Sequence, residues 1–483
     1  MENTHHHTPT DSFGAQEPSA SLRSAFEALK RQSILQRSDR LEDRLKRLDL
    51  LHQAVKKHES QIIEAMQADF QKPETEVVLT ELVPFYTEIK HQKRHLKRWM
   101  RPRKVSSNIT TLAGQSWVQT EPRGTCLILA PWNYPFNLSA IPLATALAAG
   151  NTVLLKPSEL APHTAAVIAR LVASCLPPEV ALVLEGDADT ARALLELPFD
   201  HLFFTGSTRV GKLVMEAASK HLSSVTLELG GKSPAYVDES ADLADTARKL
   251  VWGKWINAGQ TCIAPDYILV NHRMIPALLD ALRTASEAFG SVDEAGAHFC
   301  AMVSDRHAQR MQALVESSVA AGARVEWGGS LVPQTRRMQP TVITQVHRGM
   351  PVMQEEIFGP ILPIVGVEHL NEAIDFVNSD AKPLALYVFS RNAHKTDEFL
   401  KRTSAGNCCV NDVIVQISNP NLPFGGVNHS GMGHYHGEAG FLTFSHQKSI
   451  YRQSLWLNVN RFLYPPYSDQ KARLARRLLS WLR

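Results

Sequence analysis

The sequence predicts an α/β protein with two domains, each built around a doubly wound, largely parallel β-sheet. Predicted buried strands alternate with helices between residues 126 and 204, and a second alternation extends from about residue 242 to 415. Strand–helix alternation at this spacing is typical of parallel sheets covered by helices on both faces. The chain of 483 residues, 44% hydrophobic and 20% charged, is long enough for two large domains or about three of average size.

The chain begins with a polar segment and then becomes helical. Residues 1–20 are predicted to be a disordered lead, because they are polar and lack the apolar core of a signal peptide. Residues 21–101 are predicted to be helical, since apolar residues recur at spacings of three and four between Leu45 and Val55.

Two stretches between these helices and the first alternation need separate interpretation. Residues 106–121 are predicted to form a hairpin, with β-prone residues such as Thr111 on either side of a turn at Ala113–Gly114. Residues 124–155 contain no Asp, Glu, Lys or Arg and have the length of a membrane span. Three prolines and three asparagines interrupt the run, so it is predicted to be a buried strand, loop, helix and strand instead.

The two alternations can be assigned element by element. The first comprises the predicted strands 126–130, 152–155, 180–184 and 201–204, and the predicted helices 138–149, 163–173 and 190–195. The second includes the predicted strands 342–346, 361–365 and 385–389.

Charge and cysteine content limit the class of protein. The 51 Lys and Arg residues barely exceed the 48 Asp and Glu residues, a net charge of +3, which argues against nucleic acid as the main partner. The six cysteines form no CxxC pair, and the adjacent Cys408 and Cys409 would point to opposite faces of a strand. A reduced, cytoplasmic protein is therefore expected.

The segment 204–212, FTGSTRVGK, has the form of a strand, a turn and a helix start. Backbone N–H groups at such a helix start can bind an anion, and Gly206 and Gly211 would allow a phosphate to approach closely. The spacing imitates a nucleoside-triphosphate loop, but Leu213 stands where that loop has a magnesium-binding Ser or Thr. A plain strand–helix turn is the alternative.

A second candidate binding segment is KPSE at 156–159. Lys156 lies just past the carboxyl end of a predicted strand, where open α/β sheets bind their ligands, and Glu159 follows three residues later. A Lys and a Glu at this edge suit ribose hydroxyls. A solvated charge pair is the alternative.

Two further residues have the chemistry of a catalytic pair. Cys262 follows Gly259, Gln260 and Thr261 in a loop-like stretch, although a lone cysteine is usually a small core residue. Glu228 ends a predicted strand before two glycines, where its carboxylate can serve as a base. A salt bridge to Lys232 is the structural alternative for Glu228.

The order and spacing of these segments resemble the aldehyde dehydrogenase superfamily from residue 21 to about 450. The matching segments are PWNYPF at 131–136, KPSE at 156–159, FTGSTRVG at 204–211, LELGGK at 227–232, GQTC at 259–262, EEIFGP at 355–360 and PFGG at 423–426. Glu228 and Cys262 lie 34 residues apart, as the base and nucleophile of that family do. Segments 387–390 and 422–446 resemble its class 3 branch, which implies medium- and long-chain aliphatic or aromatic aldehydes as substrates.

The resemblance implies a role for each matching residue. Cys262 would attack the aldehyde carbon as a thiolate, Asn133 would stabilise the oxyanion, and Glu228 would activate the water that hydrolyses the thioester. The coenzyme NAD, with NADP also possible, would be bound by the remaining residues of the motifs: Lys156 and Glu159 at the adenine ribose, Gly206, Ser207 and Gly211 at the pyrophosphate, and Glu356 and Phe358 at the nicotinamide ribose and ring. No metal is implied.

Two alternatives to this reaction stay open at the level of sequence. A coenzyme A-acylating aldehyde dehydrogenase would transfer the acyl group to a thiol, but such members typically lack the glutamate found here as Glu228. A non-catalytic nucleotide-binding protein would retain the fold without the reaction. Asn428 and His429 replace the Gly and Asn usual in class 3 members, which leaves the preferred substrate size undetermined.

The resemblance also implies a domain organisation and a homodimer. A coenzyme-binding domain at 21–229 would be interrupted by a bridging hairpin at 104–122, and a catalytic domain would follow at 230–415. Residues 416–452 would return to a small β bridging element that joins two subunits.

The last residues form a basic tail at 453–483. From Arg461 onward the tail carries six Lys and Arg residues and one Asp, and its apolar residues fall on one helical face. Such a helix at 467–483 either makes peripheral contact with an anionic membrane surface or packs on its own subunit or the dimer partner.

Overall fold

The computed structural model describes residues 16–108, 110–290 and 299–483, so most of the predicted N-terminal lead lies outside the described residues. The helical prediction for residues 21–101 is confirmed. The helices are α1 (Ala20–Gln36), α2 (Leu41–Phe70), α3 (Glu74–Val77) and α4 (Val83–Trp99), with a π-helical segment at Val78–Leu82. Ser19 begins α1 by accepting a hydrogen bond from the backbone N–H of Leu22.

The hairpin that follows differs from its prediction. Strand β1 (Arg103–Lys104) pairs antiparallel with β2 (Gln115–Pro122), with Arg103 opposite Val118. The prediction was wrong for Thr111, which lies in a turn. The side chain of Asn108 accepts hydrogen bonds from the N–H groups of Thr110 and Thr111, and this local capping replaces the strand.

The first large sheet is the predicted parallel one. Its parallel strands are β3 (Thr125–Leu129), β4 (Thr152–Lys156), β5 (Ala181–Val183), β6 (His201–Thr205) and β7 (Ser224–Glu228), connected by helices α5 (Asn137–Ala149), α6 (Pro162–Cys175), α7 (Ala188–Leu195) and α8 (Thr208–His221). Their order is β7-β6-β3-β4-β5. The chain moves from β3 to β4 and β5 on one side and then returns to β6 on the other, so a crevice between β3 and β6 marks the topological switch point.

The uncharged run 124–155 forms the core of this domain. All residues of α5 except Asn137 are buried, which explains why the helix has no polar face. Strands β3 and β4 on either side of it in the chain are buried throughout. Among the residues that the structure describes, no helix is both long and apolar enough to cross a membrane.

The second large sheet begins after Glu228. Its strands are β8 (Pro234–Val237), β9 (Tyr267–Asn271), β10 (Arg324–Trp327), β11 (Thr341–Thr344), β12 (Ile361–Val367), β13 (Ala385–Phe389) and β14 (Asn407–Val410), and its helices are α9 (Leu243–Trp255), α10 (Ile275–Ala288), α11 (Asp305–Ala320), α12 (Pro351–Gln354), α13 (Leu370–Asn378) and α14 (Ala393–Arg402). The order is β10-β11-β12-β9-β8-β13-β14, and every pairing is parallel except that of β10 with β11. The two doubly wound sheets confirm the predicted fold class.

The segment 416–452 is divided between two sheets. Strand β15 (Gly431–Met432) pairs antiparallel with β7 at the edge of the first large sheet. Helix α15 (Gly437–Thr443) follows, and β16 (Ser445–Arg452) then pairs with β2 over its full length to complete a small antiparallel sheet, β1-β2-β16. Only β16 therefore reaches the predicted bridging element.

The chain ends in an exposed helix. Helix α16 (Asp469–Leu482) begins at Ser468, whose hydroxyl accepts a hydrogen bond from the N–H of Lys471. None of its residues is buried. The alternative in which this helix packs on its own subunit is therefore wrong.

Candidate active site

The carboxyl ends of four neighbouring strands of the first sheet carry most of the predicted site residues. Lys156 ends β4, residues 131–136 follow β3, Gly206 follows β6 and Glu228 ends β7. Because these strands are parallel, their carboxyl ends meet at one edge beside the switch point. Cys262 approaches from the second sheet, in the loop that precedes β9.

The loop that carries Cys262 has an unusual backbone. Asn257, Ala258 and Gly259 have φ values of 53°, 52° and 71°, three successive residues in the left-handed region. A Cβ on Gly259 would lie 2.3 Å from the carbonyl oxygen of Gly359, so both the backbone conformation and the close approach require glycine there. The conformation takes Cys262 out of regular structure and leaves it partly accessible.

The surroundings of Cys262 oppose ionisation of its thiol. Burial raises the pKa of the thiol above its ordinary value, and the nearby carboxyl groups of Glu356 and Glu228 raise it further.

Asn133 is held directly against the Cys262 loop. Its side-chain Nδ2 donates to the carbonyl oxygen of Gln260 at 3.0 Å, and the side chain of Asn257 donates to the carbonyl oxygen of Asn133 at 2.8 Å. Next in the chain, the hydroxyl of Tyr134 lies 2.6 Å from that of Thr261. These contacts clamp the loop after β3 to the Cys262 loop, and they use only one of the two amide hydrogens of Asn133.

Glu228 is a buried carboxyl group without a partner. It is 3% exposed, and neither of its oxygens accepts a hydrogen bond from any residue that the structure describes. Burial raises its pKa well above the ordinary value. The predicted alternative, a salt bridge to Lys232, is wrong, because Lys232 donates to Asp266 at 2.5 Å instead.

Lys156 and Glu159 form the ion pair that the sequence allowed as an alternative. Lys156 Nζ donates to Glu159 Oε2 at 2.8 Å. The lysine side chain is buried, whereas that of Glu159 is 44% exposed. The pair is thus fixed at the strand end with its carboxylate facing solvent, an arrangement that fits the hydroxyls of a ribose.

The turn after β6 leads directly into the start of α8, as predicted. Ser207 is the N-cap of α8 and accepts a hydrogen bond from the N–H of Val210, while the hydroxyl group of Thr208 donates to the carbonyl oxygen of His429. Gly211 also has a packing role. A Cβ there would lie 2.6 Å from the side chain of Leu229, so this glycine lets α8 pack closely on the sheet.

Glu356 and Phe358 lie on the loop before β12. The carboxyl group of Glu356 covers Gly230, where a Cβ would lie 2.0 Å from Oε2, and burial raises its pKa to about 8. Phe358 has a φ of 51°, and its ring packs edge-on against Trp132 with ring centres 5.2 Å apart. The loop is fixed by Arg310, which donates to the carbonyl oxygens of Glu356 and Ile357.

The structure thus brings together residues from six separate segments, and it adds some that the sequence did not reveal. Asn257, Tyr134 and Asp266 hold the loops of the site, and none belongs to a pattern with a recognisable period. Tyr134 was visible only as the neighbour of Asn133. Among the described residues, no group of His, Cys, Asp and Glu has the arrangement of a metal site.

Comparison with known proteins gives a consistent result. A sequence model of the aldehyde dehydrogenase family matches residues 12–450. The putative aldehyde dehydrogenase AldX of Bacillus subtilis is 42% identical over 436 residues, which cover 90% of this chain and 98% of that protein. Aldehyde dehydrogenase family 3 member A2 of Mus musculus is 42% identical over 442 residues, which cover 91% of this chain and 90% of that protein.

Solved structures agree with this similarity. AldH of Staphylococcus aureus, solved in a substrate-bound state, superposes with a TM-score of 0.91 at 39% identity and covers 95% of this chain and 99% of that one. An aldehyde dehydrogenase of Mycobacterium tuberculosis complexed with NAD+ superposes with a TM-score of 0.83 at 28% identity, over 90% of both chains.

Proposed function

Because the chain belongs to the aldehyde dehydrogenase family, we propose that Cys262, Glu228 and Asn133 carry out the family's reaction in this chain. The protein is an NAD(P)-dependent oxidoreductase that acts on aldehydes. One observation supports the residue assignment above all others. The buried carboxyl group of Glu228 has no hydrogen-bonding partner among the described residues.

The chemistry of the three residues is complementary. The Cys262 thiol loses its proton and its sulfur bonds to the aldehyde carbon, which gives a thiohemiacetal. The second amide hydrogen of Asn133 can donate to the developing oxyanion, and one such donor is typically worth about 10²- to 10³-fold in rate. Glu228 then takes a proton from the water that attacks the thioester, which releases the carboxylic acid and restores the thiol.

The coenzyme site is assigned on the same edge of the first sheet. Lys156 and Glu159 would hold the adenine ribose, and Gly206, Ser207 and Gly211 the pyrophosphate. Glu356 and Phe358 would hold the nicotinamide ribose and ring. Bound there, the coenzyme would supply the hydride acceptor that oxidation of the thiohemiacetal to the thioester requires. The charge of Glu159 opposes a 2′-phosphate, so we expect NAD to be preferred while NADP remains a possible coenzyme.

The aldehyde is proposed to be apolar. Trp132 packs between His307 and Phe358, and the hydroxyl of Tyr134 contacts that of Thr261, next to Cys262, so aromatic side chains lie on the loops of the site. Each additional methylene buried against such walls contributes about 0.8 kcal/mol, or about fourfold in kcat/KM. A series of straight-chain aldehydes is expected to show this rise up to the length of the pocket.

The mechanism has a direct test in the absorbance of NADH at 340 nm. Purified protein with NAD and a medium-chain aldehyde is expected to produce NADH, and Cys262→Ala is expected to abolish it. Cys175→Ala, a half-buried cysteine on α6, is the matched control and should keep full activity. Full activity in Cys262→Ala would refute the assignment, and an inactive parent protein would favour the non-catalytic alternative.

The acylating alternative is not favoured. A carboxyl group placed to activate water is unnecessary when the acyl group passes to a thiol. We expect the same rate of NADH production with and without coenzyme A, and the free carboxylic acid as the product.

A homodimer is proposed from two exposed strand edges. Strand β16 ends the small sheet and β14 ends the second large sheet, and neither pairs with a further strand among the described residues. Cys408 and Val410 on β14 are exposed, as are Leu455 and Trp456 just beyond β16. Unpaired edges of this length are normally covered, and pairing β16 of one chain with β14 of another would cover both.

Peripheral contact with a membrane is proposed for α16. The apolar face that the sequence predicted is exposed, with Trp481 75% and Leu482 65% accessible. Its basic residues flank this face, as in helices that lie on anionic lipid surfaces. Cover by the dimer partner is the remaining alternative.

A further inference from the structure

A cluster of three charged residues contacts the two catalytic loops, which are the loop that carries Asn133 and the loop that carries Cys262. Lys72, in the connection between α2 and α3, has a fully buried side chain. Its Nζ lies 3.8 Å from Glu76 Oε1, 3.7 Å from Glu81 Oε1 and 4.5 Å from the centre of the Tyr134 ring, and it makes no hydrogen bond to any described residue. A buried ammonium group is costly for the fold, so its presence requires an explanation other than stability.

Each carboxylate of the cluster also binds one backbone N–H of a catalytic loop. Glu76 Oε1 accepts from the N–H of Asn257 at 2.8 Å, where the left-handed turn before Cys262 begins. Glu81 Oε2 accepts from the N–H of Asn137 at 2.6 Å, where the loop that carries Asn133 ends and α5 begins. Burial raises the pKa of both carboxyl groups, to about 7 for Glu81, and the charge of Lys72 opposes this rise.

The π-helical segment explains how both glutamates reach the same lysine. Residues five apart on an α-helix point about 140° away from each other. The segment Val78–Leu82 widens the helix between Glu76 and Glu81, so the two side chains turn towards one side. π-helical insertions of this kind occur frequently at functional sites.

The two loops held by the cluster are also bonded to each other. Asn257 donates to the carbonyl oxygen of Asn133, and Asn133 donates to the carbonyl oxygen of Gln260. A shift of Asn257 therefore moves both the oxyanion donor and the loop of the nucleophile.

We propose that Lys72, Glu76 and Glu81 are positioning residues that fix the Asn133 amide and the Cys262 loop in their reactive arrangement. The inference rests on the proposed function of Asn133 and Cys262. None of the three residues takes part in the chemistry. Lys72 draws the two carboxylates to one place by its charge, and the carboxylates hold the loops.

The test compares kcat in Glu76→Ala, Glu76→Gln and Lys72→Met, normalised to the number of coenzyme sites found by calorimetric titration with NAD. Glu76→Ala removes the acceptor for Asn257 and is expected to lower kcat about 10- to 100-fold, because small misplacements of reacting groups have effects of this size. Glu76→Gln keeps an oxygen acceptor and should stay within about threefold of the parent. The KM for NAD should change less than about twofold, since the coenzyme residues are untouched.

Lys395→Met is the matched control, because Lys395 also pairs with a buried carboxylate, Asp238, beyond the carboxyl end of β8. It should leave kcat per coenzyme site unchanged. If Glu76→Ala does not fold, Lys72→Met decides, because the two carboxyl groups then lose the charge that draws them to one place, and kcat per site should fall by more than about threefold. An unchanged kcat per site in the folded variant, or a raised KM for NAD alone, would overturn the inference.

A second measurement separates this inference from the proposed function. The rate of Cys262 alkylation by iodoacetamide, followed on the Cys262 peptide by mass spectrometry, needs no turnover. It should change in Glu76→Ala and not in Lys395→Met. Activity that survives Cys262→Ala would refute the proposed function, whereas equal alkylation rates in the parent and both variants would refute only the positioning role.

Discussion

Glu228 illustrates how the surroundings of one residue separate a catalytic role from a structural one. A structural carboxylate at a strand end would have a cation or N–H groups to bind, as Asp266 has Lys232 and the N–H of Ile357. Glu228 is equally buried and has no such partner among the described residues. This carboxyl group is therefore available to bind a water molecule or a substrate, as a catalytic base must.

Replacing this carboxylate is expected to separate the two halves of the reaction. Glu228→Gln should keep a pre-steady-state burst of NADH, because acylation of Cys262 does not need the base that activates water. Turnover should fall by about 10²- to 10⁴-fold, the usual effect of losing a general base. Stopped-flow absorbance at 340 nm measures both quantities.

The control for that experiment is Glu216→Gln, on the exposed face of α8. It should change neither burst nor turnover. Loss of the burst itself in Glu228→Gln would show that Glu228 acts mainly before the thioester forms.

The pH dependence of the enzyme follows from the carboxyl groups around Cys262. Reaction requires the thiolate of Cys262 and the ionised form of Glu228, and the pKa of both groups is raised. Because a raised pKa moves ionisation to higher pH, kcat/KM is expected to increase from neutral into alkaline solution.

In coenzyme-free enzyme, Glu356→Gln removes one negative neighbour of the thiol, so the pH profile for Cys262 alkylation should move to lower pH.

The matched variant for the alkylation profile is Glu239→Gln, which removes an exposed carboxylate beyond the carboxyl end of β8. That profile should coincide with the parent's. Coincidence of the Glu356→Gln profile as well would mean that the charge of Glu356 does not contribute to the raised pKa of the thiol.

At the scale of elements, the sequence correctly predicted the strands and helices that are buried on all sides. Strands β3, β4 and β6 and helix α5 were predictable because a sheet covered on both faces requires uninterrupted apolar runs. The first arm of the hairpin was mispredicted because the Asn108 side chain formed a turn, a contact that β-propensity does not describe. Strand β15 has only two residues and the π-helical segment only five, too few for any period to show.

The catalytic residues were accessible from sequence for a different reason. Glu228, Cys262 and Asn133 lie in motifs whose order resembles a known family, whereas composition and periodicity alone left each with a structural alternative. Asn257 was missed because its partner, Asn133, lies 124 residues away in the chain, and no local pattern reports such a contact. Lys72 was missed because its approach to both Glu76 and Glu81 depends on how the chain packs around the π-helical segment, which no periodic pattern reports.

The exposed edge of β16 leads to a prediction about assembly. Leu455 and Trp456, 98% and 97% exposed, follow that edge and would be covered in a β16–β14 dimer. Sedimentation is expected to show a particle of two 53.6 kDa chains. Replacing both residues by serine should shift the equilibrium towards single chains, since each loses a large apolar contact.

Leu222→Ser provides the matched control, because Leu222 is 93% exposed at the end of α8, away from both edges. It should leave sedimentation unchanged. A parent protein that sediments as a single chain would contradict the proposed dimer.

At the scale of the whole molecule, charge is distributed unevenly. The net charge of +3 conceals a tail with six basic residues and one acidic residue, so the rest of the chain carries a small negative excess. Such a body has little attraction for anionic surfaces, whereas α16 exposes a basic and apolar helix. The tail is therefore the part of the molecule that would meet a membrane.

Vesicle binding tests this placement. The protein is expected to co-sediment with vesicles containing phosphatidylserine, less with pure phosphatidylcholine, and less again as salt is added. Replacing both Arg476 and Arg477 by glutamine should weaken binding about thirtyfold, because each basic residue near an anionic surface contributes about 1 kcal/mol. Replacing Trp481 and Leu482 by alanine should weaken binding to both kinds of vesicle, since the apolar face is lost.

Deletion of 467–483 should abolish vesicle binding while NADH production continues. Equal binding after that deletion would refute the membrane role. If the parent binds no vesicles and the deletion causes loss of dimers, α16 packs on the partner chain instead.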